Sequence, residues 1–205
     1  MTMSEARQHW ESRYAEKDRM WSGRVNARLA EVAGELPPGR ALDVGCGEGA
    51  DAMWLAERGW QVTAVDISQT ALDRAAAEAA SRGLTIDFQR HELPATFPDG
   101  QFELVSAHFL HSEVELDRVR ILRRAAEAVV PGGLLLIVDH GAPPPWAPDH
   151  VHEFEFPSAQ EVVESLQLPE GQWELLRAEP VKRDAVGPDG QQGTLIDNVI
   201  MLRRR

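Results

Sequence analysis

A short apolar segment followed by three closely spaced glycines constrains this chain more than any other feature. Residues 41–44 are typical of a buried strand, Gly45, Gly47 and Gly49 follow at alternate positions, and a helical pattern begins near Ala50. Glycine has no Cβ and tolerates positive φ, so a loop of this kind lets a ligand lie against the backbone. In doubly wound sheets this turn forms a small-molecule pocket, and we expect one here.

Acidic residues around the loop indicate which ligand it binds. The spacing of Gly and Ala in Gly45–Ala50 satisfies the dinucleotide fingerprint. A pyrophosphate, however, is attracted by bare N–H groups and the positive end of a helix. The carboxylates of Asp43, Glu48 and Asp51 would repel it. The charges therefore favour a cationic ligand that carries an ammonium or a sulfonium group.

A second acid follows the next predicted strand. Residues 61–66 indicate a strand that ends in Asp66. An acid in this place accepts hydrogen bonds from both hydroxyls of a ribose. The alternative is a cap, because Asp66 and Ser68 both precede the helix predicted from Gln69. We favour the ribose interpretation, since position and residue type coincide.

With its segments Ala41–Gly49 and Val65–Ser68, the sequence resembles the class I S-adenosylmethionine-dependent methyltransferases. The resemblance extends from about Trp10 to Val138. It implies that the first acid and the glycines hold the methionine part of the cofactor, that the second acid holds the ribose, and that an acid after the third strand meets the adenine amino group. The implied cofactor residues are Asp43, Gly45, Cys46, Gly47, Asp66, Ile67, Glu92, Leu93, Trp21 and Arg24. Glu92 stands where the family commonly has Asp, and a solvated loop acid is the alternative.

The N-terminal segment is rich in aromatic residues. A helix is predicted over 4–18 and a second from 27 to 34, with the string Trp21-Ser22-Gly23-Arg24 between them. This region is similar to the tellurite-resistance and thiopurine methyltransferase branch of the family. The similarity implies a cover in which Tyr14 or Trp21 stacks on the cofactor and Arg24 meets a carboxylate. Alternatively, the aromatic residues pack the first helix onto the sheet edge.

Strand and helix patterns alternate along the remaining chain, which favours a parallel α/β sheet. The continuous apolar run 134–138 is typical of a strand covered on both faces. Segments 173–186 and 194–202 flank a Gly-Pro-Asp-Gly turn and predict a hairpin. We expect an α/β fold with a doubly wound, mostly parallel seven-stranded sheet and a C-terminal antiparallel hairpin, the Rossmann-like methyltransferase fold. One domain is expected over 1–205, with an N-terminal helical cover (1–36) and an α/β core (37–205).

Histidines and a tryptophan follow the fourth and fifth predicted strands, where the methyl acceptor is expected. We predict His108 and His111 as candidate catalytic bases. The predicted acceptor pocket comprises Tyr14, His140 and Trp146. The spacing of His108 and His111, or of His150 and His152 with a nearby glutamate, also permits a metal. Loop histidines are usually solvated, so no metal is expected.

The charge balance bears on the partners. The chain has 21 Lys and Arg against 33 Asp and Glu, a net charge of −12. Because phosphates are bound by clustered cations, we expect no nucleic acid and no membrane partner. A single cysteine, no long apolar run and no signal-peptide pattern favour a cytoplasmic protein. The oligomeric state is left open.

The leading hypothesis is an S-adenosylmethionine-dependent methyltransferase that transfers a methyl group in line to a small molecule. Proximity and alignment supply most of the rate of such a displacement. A general base is needed only when the nucleophile carries a proton. A non-catalytic, cofactor-binding regulatory protein is one alternative, and an NAD-dependent oxidoreductase is a second. The acceptor atom stays open among a thiol, a phenol, an amine and a metalloid.

Overall fold

The computed structural model describes residues 4–148 and 156–205. Within these residues the chain forms six α-helices and seven β-strands. The helices are α1 (Glu5–Ala15), α2 (Ala27–Ala33), α3 (Ala50–Glu57), α4 (Gln69–Ser81), α5 (Arg118–Glu127) and α6 (Ala159–Leu166). The strands are β1 (Arg40–Val44), β2 (Gln61–Asp66), β3 (Asp87–Arg90), β4 (Phe102–His108), β5 (Val129–His140), β6 (Trp173–Val186) and β7 (Gln192–Arg204).

The seven described strands form one sheet in the order β3-β2-β1-β4-β5-β7-β6. The pairs from β3 to β5 are parallel, whereas β7 runs antiparallel to both β5 and β6. This confirms the predicted mostly parallel sheet with an antiparallel C-terminal pair. The chain order reverses between β1 and β4, and the carboxyl ends of these neighbouring strands define the crevice in which such sheets bind ligands.

Apolar side chains cover both faces of the sheet. Along β5, Leu135 and Ile137 join the cluster under α5 and α6, while Leu136 and Val138 join the cluster under α2 and α3. All four are fully buried, and each contributes about 1.5–3 kcal/mol by leaving water. Burial on both faces explains why this strand is continuously apolar rather than alternating.

The start of β5 differs from the sequence expectation. The apolar run that predicts this strand starts at residue 134, but the strand already begins at Val129 and includes Pro131, Gly132 and Gly133. Phe102 pairs with Val129, whereas Leu104 pairs with Leu134, so several residues of β5 bulge out of the ladder. A bulge accommodates proline, which has no N–H to donate. The strand is therefore longer than its apolar run.

The two N-terminal helices pack in different places. α1 lies against α4, near the glycine loop. α2 instead buries Leu29 and Ala33 in the core cluster beside α3. The predicted division into a helical cover (1–36) and an α/β core (37–205) stays a prediction, and α2 is part of the core cluster. None of the described helices is long and apolar enough to cross a membrane.

Candidate functional site

The glycine loop joins β1 to α3 in a left-handed backbone conformation. The φ angles of Gly45, Gly47 and Gly49 are 75°, 53° and 79°, which explains the three glycines. The N–H groups of Gly45 and Cys46 donate to the carbonyl of Val65 at 2.8 and 2.9 Å. These bonds fasten the loop to the end of β2, so its shape is set by the protein itself.

Asp66 completes the loop from the end of β2. Its Oδ2 accepts from the N–H of Gly47 at 2.9 Å, and its Oδ1 accepts from the N–H of Ser68 at 3.0 Å. The N-cap of α4 is Ser68, whose Oγ accepts from Ala71, so Asp66 itself is not the cap. Burial raises the pKa of Asp66. A carboxylate has about four acceptor positions, and backbone N–H groups of Gly47, Ile67 and Ser68 use at most three of them, so capacity for a ligand hydroxyl remains.

Asp43, at the end of β1, is a buried acid with a free oxygen. It is 3% exposed, and its Oδ2 has no hydrogen-bond partner among the described residues. Burial, followed by the charge of Asp51, raises the pKa of Asp43 to about 7. A buried carboxylate oxygen without a partner is costly unless a cation or a donor meets it. An ammonium group would do so.

The other two acids of the loop region hold the N-terminal segment. Glu48 accepts from the N–H groups of Met20 and Trp21 at about 3.1 Å and pairs with Arg74 at 3.0 Å. The Oδ1 of Asp51 accepts from the N–H of Asn26 at 2.6 Å. Arg74 offsets the charge of Glu48, whereas the negative charge of Asp51 still acts on Asp43 and raises its pKa, so Asp43 and Asp51 disfavour a pyrophosphate here.

Two aromatic side chains of the cover lie over the loop. The indole Nε1 of Trp21 donates to Tyr14 Oη at 2.9 Å. A Cβ added to Gly47 would lie 3.0 Å from that Oη and 3.2 Å from Nε1. Tyr14 is buried, which together with Asp66 raises its pKa, whereas Trp21 is 50% exposed. Arg24 is exposed, and no described side chain pairs with its guanidinium, so its contact with a carboxylate stays a prediction.

Glu11 of α1 was not identified from the sequence. Its carboxylate accepts from the N–H groups of Gln69 and Thr70 at 2.7 and 3.2 Å, and from Ser68 Oγ at 3.0 Å. It therefore caps α4 from another helix. Burial opposes its ionisation, but these hydrogen bonds lower the pKa of Glu11. No local pattern marks a cap whose two parts lie almost sixty residues apart.

The predicted adenine side lies at the end of β3. The N–H of Glu92 donates to Thr96 Oγ1 at 3.1 Å, and its carboxylate lies 3.8 Å from Arg90. Leu93 packs against the core cluster under α5. Ile67 is half-buried directly after Asp66. The structure brings these residues to the same sheet edge as the loop, and their contacts with a nucleoside stay predictions.

His108 ends β4 with its side chain 5% exposed. Its Nδ1 lies 2.7 Å from Oδ2 of Asp51, and its Nε2 has no hydrogen-bond partner among the described residues. Burial lowers the pKa of His108, but the hydrogen bond with Asp51 and the charges of Asp51, Asp43 and Asp139 outweigh it, so the net shift is upward. The imidazole is held as one member of a carboxylate–histidine pair.

Beyond His108, three further rings form an aromatic cluster with Phe109. The rings of Phe109 and His140 stack at 4.5 Å, those of His111 and His140 stack at 5.5 Å, and Phe156 meets His140 edge-on at 6.4 Å. Burial lowers the pKa of both His111 and His140, which favours the uncharged form of their rings. The cluster places stacked aromatic rings beside the ends of β4 and β5.

Asp139 lies at the end of β5 and was also missed. It is buried, pairs with Arg118, and keeps Oδ1 without a hydrogen bond at 3.7 Å from His111 Nε2. Its sequence position could have indicated it, because Asp139 directly follows the apolar run 134–138 just as Asp66 ends the strand predicted over 61–66.

The ring of Trp146 packs against the C-terminal hairpin (β6 and β7) and not against the aromatic cluster. A Cβ on Gly187 or Gly193 would lie 2.8 or 3.0 Å from its ring. The hairpin extends past the end of β5, since His140 already pairs with Asp197. A place for Trp146 in the acceptor pocket stays a prediction.

The other sequence candidates are a metal site and the thiol of Cys46. His150 and His152 lie outside the described residues. Within 4–148 and 156–205, no group of three or more His, Cys, Asp or Glu is placed to hold a metal. Burial, with Asp66 and Asp43 nearby, raises the pKa of Cys46 well above its usual value. A thiol that keeps its proton is a poor nucleophile.

These residues fit a cationic nucleoside that carries an amino acid. Asp66 keeps acceptor capacity for a ribose hydroxyl, and the unpaired Oδ2 of Asp43 suits an ammonium group. Gly47 leaves the space in which Tyr14 and Trp21 approach the loop. The donor and acceptor set therefore matches S-adenosylmethionine.

Comparisons with known proteins agree. Residues 41–133 match the family model described as a methyltransferase domain. The 2-heptyl-1-hydroxyquinolin-4(1H)-one methyltransferase of Mycobacteroides abscessus is 34% identical over 161 residues, which are 76% of this chain and 67% of the relative. A ubiquinone biosynthesis O-methyltransferase of Bordetella bronchiseptica is 33% identical over 108 residues, 51% of this chain and 44% of the relative. The chain thus spans less than half the length of the latter.

Solved structures give the same result. A structure from work on the conversion of a disulfide bond into a thioacetal group during echinomycin biosynthesis has a TM-score of 0.73 and 25% identity, with 96% of this chain and 92% of the other covered. TehB from Haemophilus influenzae has a TM-score of 0.70 and 19% identity, covering 95% and 67%, and shows the fold alone. The chain therefore belongs to the class I S-adenosylmethionine-dependent methyltransferases.

Proposed function

We propose that this enzyme methylates a small molecule by in-line transfer from S-adenosylmethionine. The observation that carries the proposal is the adjacency of two half-sites along one sheet edge. The glycine loop with Asp66 and Asp43 ends β1 and β2, and the cluster around His108 and His140 ends β4 and β5. A donor in the first half-site would face an acceptor in the second.

Each cofactor residue has a separate role in this proposal. Asp66 holds the ribose, Asp43 meets the ammonium group, and Glu92 with Leu93 borders the adenine. Tyr14 and Trp21 cover the loop and keep water from the reacting atoms. Excluding water strengthens the electrostatic interactions inside the site and prevents side reactions.

The bound cofactor would supply an electrophilic methyl carbon on a positively charged sulfur. The chain's own contribution is alignment, which is worth roughly 7–11 kcal/mol in well-oriented reactions. His108 and His111 both lie near the acceptor half-site, and either is a candidate to take a proton from an acceptor that carries one.

Charge and pocket chemistry support a small acceptor. A net charge of −12 disfavours a nucleic-acid substrate, because phosphate contacts depend on clustered Lys and Arg. The acceptor half-site is built from four stacked or edge-packed rings rather than from a basic groove. The relatives named for a hydroxyquinolone and for ubiquinone biosynthesis also point to small ring compounds. The single cysteine is compatible with a reducing cytoplasm, where we place the activity.

Release of S-adenosylhomocysteine tests the proposal. The purified protein is incubated with S-adenosylmethionine and a panel of phenols, thiols, amines and metalloid oxyanions, and binding is measured in parallel by calorimetry. Acceptor-dependent release is the expected result. Tight cofactor binding without release on any acceptor would instead favour a regulatory protein. Binding of NAD in place of S-adenosylmethionine would contradict the assignment at its root.

A further inference from the structure

We infer that His108, oriented by Asp51, is the general base of an O-methylation whose acceptor is a hydroxyl group on a planar aromatic ring. This inference rests on the proposed methyl-transfer function and adds to it the base, the residue that orients the base, and the class of acceptor.

Asp51 fixes which nitrogen of His108 carries the proton. Its Oδ2 lies 2.7 Å from Nδ1. An ionised carboxylate only accepts hydrogen bonds, so Nδ1 is the donor and the neutral ring presents its lone pair at Nε2. Asp51 is itself held, because its Oδ1 accepts from the N–H of Asn26 at 2.6 Å. A base oriented by a third group is the arrangement by which enzymes activate hydroxyl nucleophiles.

The nitrogen left free by this pairing is buried and has no partner. Nε2 of His108 has no hydrogen bond among the described residues, and the same is true of Oδ1 of Asp139 on the neighbouring strand. Leaving a buried polar atom unpaired is unfavourable, and such atoms in native proteins call for a functional explanation. A hydroxyl group bound at the ends of β4 and β5 provides one.

The charges that face His108 come from three elements. Asp51 lies on α3, Asp43 on β1 and Asp139 on β5, and all three raise the pKa of the imidazole against the effect of burial. A raised pKa makes the neutral ring a stronger base. Because only the neutral ring accepts a proton, the rate is expected to rise with pH until His108 is deprotonated.

His111 lacks these features. Its side chain is 38% exposed, its Nε2 lies 3.7 Å from Asp139, and no described carboxylate is within hydrogen-bond distance. Burial lowers the pKa of His111, and although Asp139 opposes this, Arg118 and His140 also lower it, so the net shift is downward. The geometry therefore separates the two histidines that the sequence leaves equivalent.

The rings beside His108 indicate the shape of the acceptor. Phe109 has a φ of 49°, a backbone conformation that residues other than glycine rarely adopt. Residues in this conformation cluster at functional sites. Its N–H donates to Val138 at 2.7 Å and its carbonyl accepts from His111 at 2.8 Å, which holds the ring in its stack with His140. Flat neutral rings favour a flat ring as ligand. A thiolate or a metalloid oxyanion needs neither the stack nor a base.

The step balances as follows. The hydroxyl oxygen forms a bond to the methyl carbon while the bond between that carbon and sulfur breaks. The electron pair of the broken bond stays on sulfur, which becomes neutral in S-adenosylhomocysteine. The hydroxyl proton passes to Nε2 of His108, which becomes an imidazolium beside Asp51.

Acceptors with different protonation states test the base. At a mildly alkaline pH para-cresol still keeps its proton, whereas para-nitrophenol and thiophenol are largely ionised. With para-cresol, His108→Gln should lower kcat by about 10²–10⁴-fold. With the ionised acceptors, the same substitution should change kcat by only about threefold. Asp51→Asn keeps an oxygen for the N–H of Asn26 but presents an amide donor to Nδ1. Asp51→Asn should therefore lower the rate of methyl transfer to para-cresol and leave the rates with the ionised acceptors nearly unchanged.

A measurement on the cofactor-free protein provides an independent test. Histidine nitrogen NMR should show the proton of neutral His108 on Nδ1 in the wild type and on Nε2 in Asp51→Asn. Asp73→Asn, which neutralises an exposed acid on α4, is the matched control and should leave the tautomer unchanged.

The outcomes separate the two levels of the argument. Equal losses with protonated and ionised acceptors, or an unchanged tautomer in Asp51→Asn, would overturn the role of His108 and Asp51. Transfer to thiophenol alone, or cofactor binding without transfer to any of the three compounds, would overturn the aromatic hydroxyl class. Failure of the wild type to bind S-adenosylmethionine would overturn the proposed function itself.

Discussion

Replacing Glu11 with alanine removes the carboxylate that joins α1 to α4. That carboxylate accepts from Gln69 and Thr70 N–H groups at 2.7 and 3.2 Å and from Ser68 Oγ at 3.0 Å. Loss of a side chain that caps a helix costs about 0.5–2 kcal/mol. Because this cap comes from another helix, its loss also releases α1, which carries Tyr14 over the glycine loop.

The expected magnitude follows from this double role. The free energy of unfolding should fall by about 1–2 kcal/mol, which a urea titration followed by circular dichroism measures. Where binding needs α1 in place, the lost docking energy also subtracts from cofactor affinity. A loss of about 1.4 kcal/mol raises the Kd for S-adenosylmethionine about tenfold, which calorimetry measures.

Two variants serve as controls, one for removing an acid from α1 and one for losing only part of the cap. Glu16→Ala removes one exposed acid from the end of the same helix and should change neither quantity. Glu11→Gln keeps one oxygen acceptor and should give intermediate values. A Glu11→Ala protein with lowered stability but the wild-type Kd would refute the reasoning, because the cover would then be a structural element with no part in cofactor binding.

Three further predictions concern other parts of the site. The pKa of Asp43 is raised to about 7, so the affinity of the wild type for the cofactor should fall as the pH drops through 7 and the acid loses its charge. Calorimetry should show weak binding by Asp43→Asn at every pH. The same pH dependence of the Kd in the wild type and in Asp43→Asn would contradict this. Gly47→Val should abolish binding, since φ is 53° and the new side chain meets Tyr14, and normal binding by the folded variant would exclude the loop as the site. Trp146→Ala should raise amide hydrogen exchange in residues 187–193 without changing cofactor affinity, and unchanged exchange would argue against its contact with the hairpin.

The sheet was predictable because its signals are local. Apolar runs, glycines at strand ends and the turn before β7 each lie within a few residues, and all three reappear in the structure. The course of β5 through residues 131–133 was not predictable in this way, because a bulge is decided by pairing with β4.

The same distinction between local signals and distant contacts applies to the residues of the site. Asp43, Asp66 and the glycines were found because the residues of a strand end and its loop are consecutive. The partners of Glu48 and Asp51 were not, since Met20, Trp21, Asn26 and His108 come from distant segments. The sequence therefore indicates the charge of these two acids but not the groups that each carboxylate contacts. Only the three-dimensional contact identifies Asp51 as the residue that orients His108.

Calorimetric titration of S-adenosylmethionine into the wild type, Asp66→Ala and the surface control Asp73→Ala tests cofactor binding at this loop most directly. Two hydrogen bonds to an ionised carboxylate are each worth about 1.5–3 kcal/mol, so Asp66→Ala should raise the Kd by at least about tenfold while Asp73→Ala leaves it unchanged. Equal dissociation constants for all three folded proteins would show that the ribose does not bind Asp66 and that the cofactor lies elsewhere.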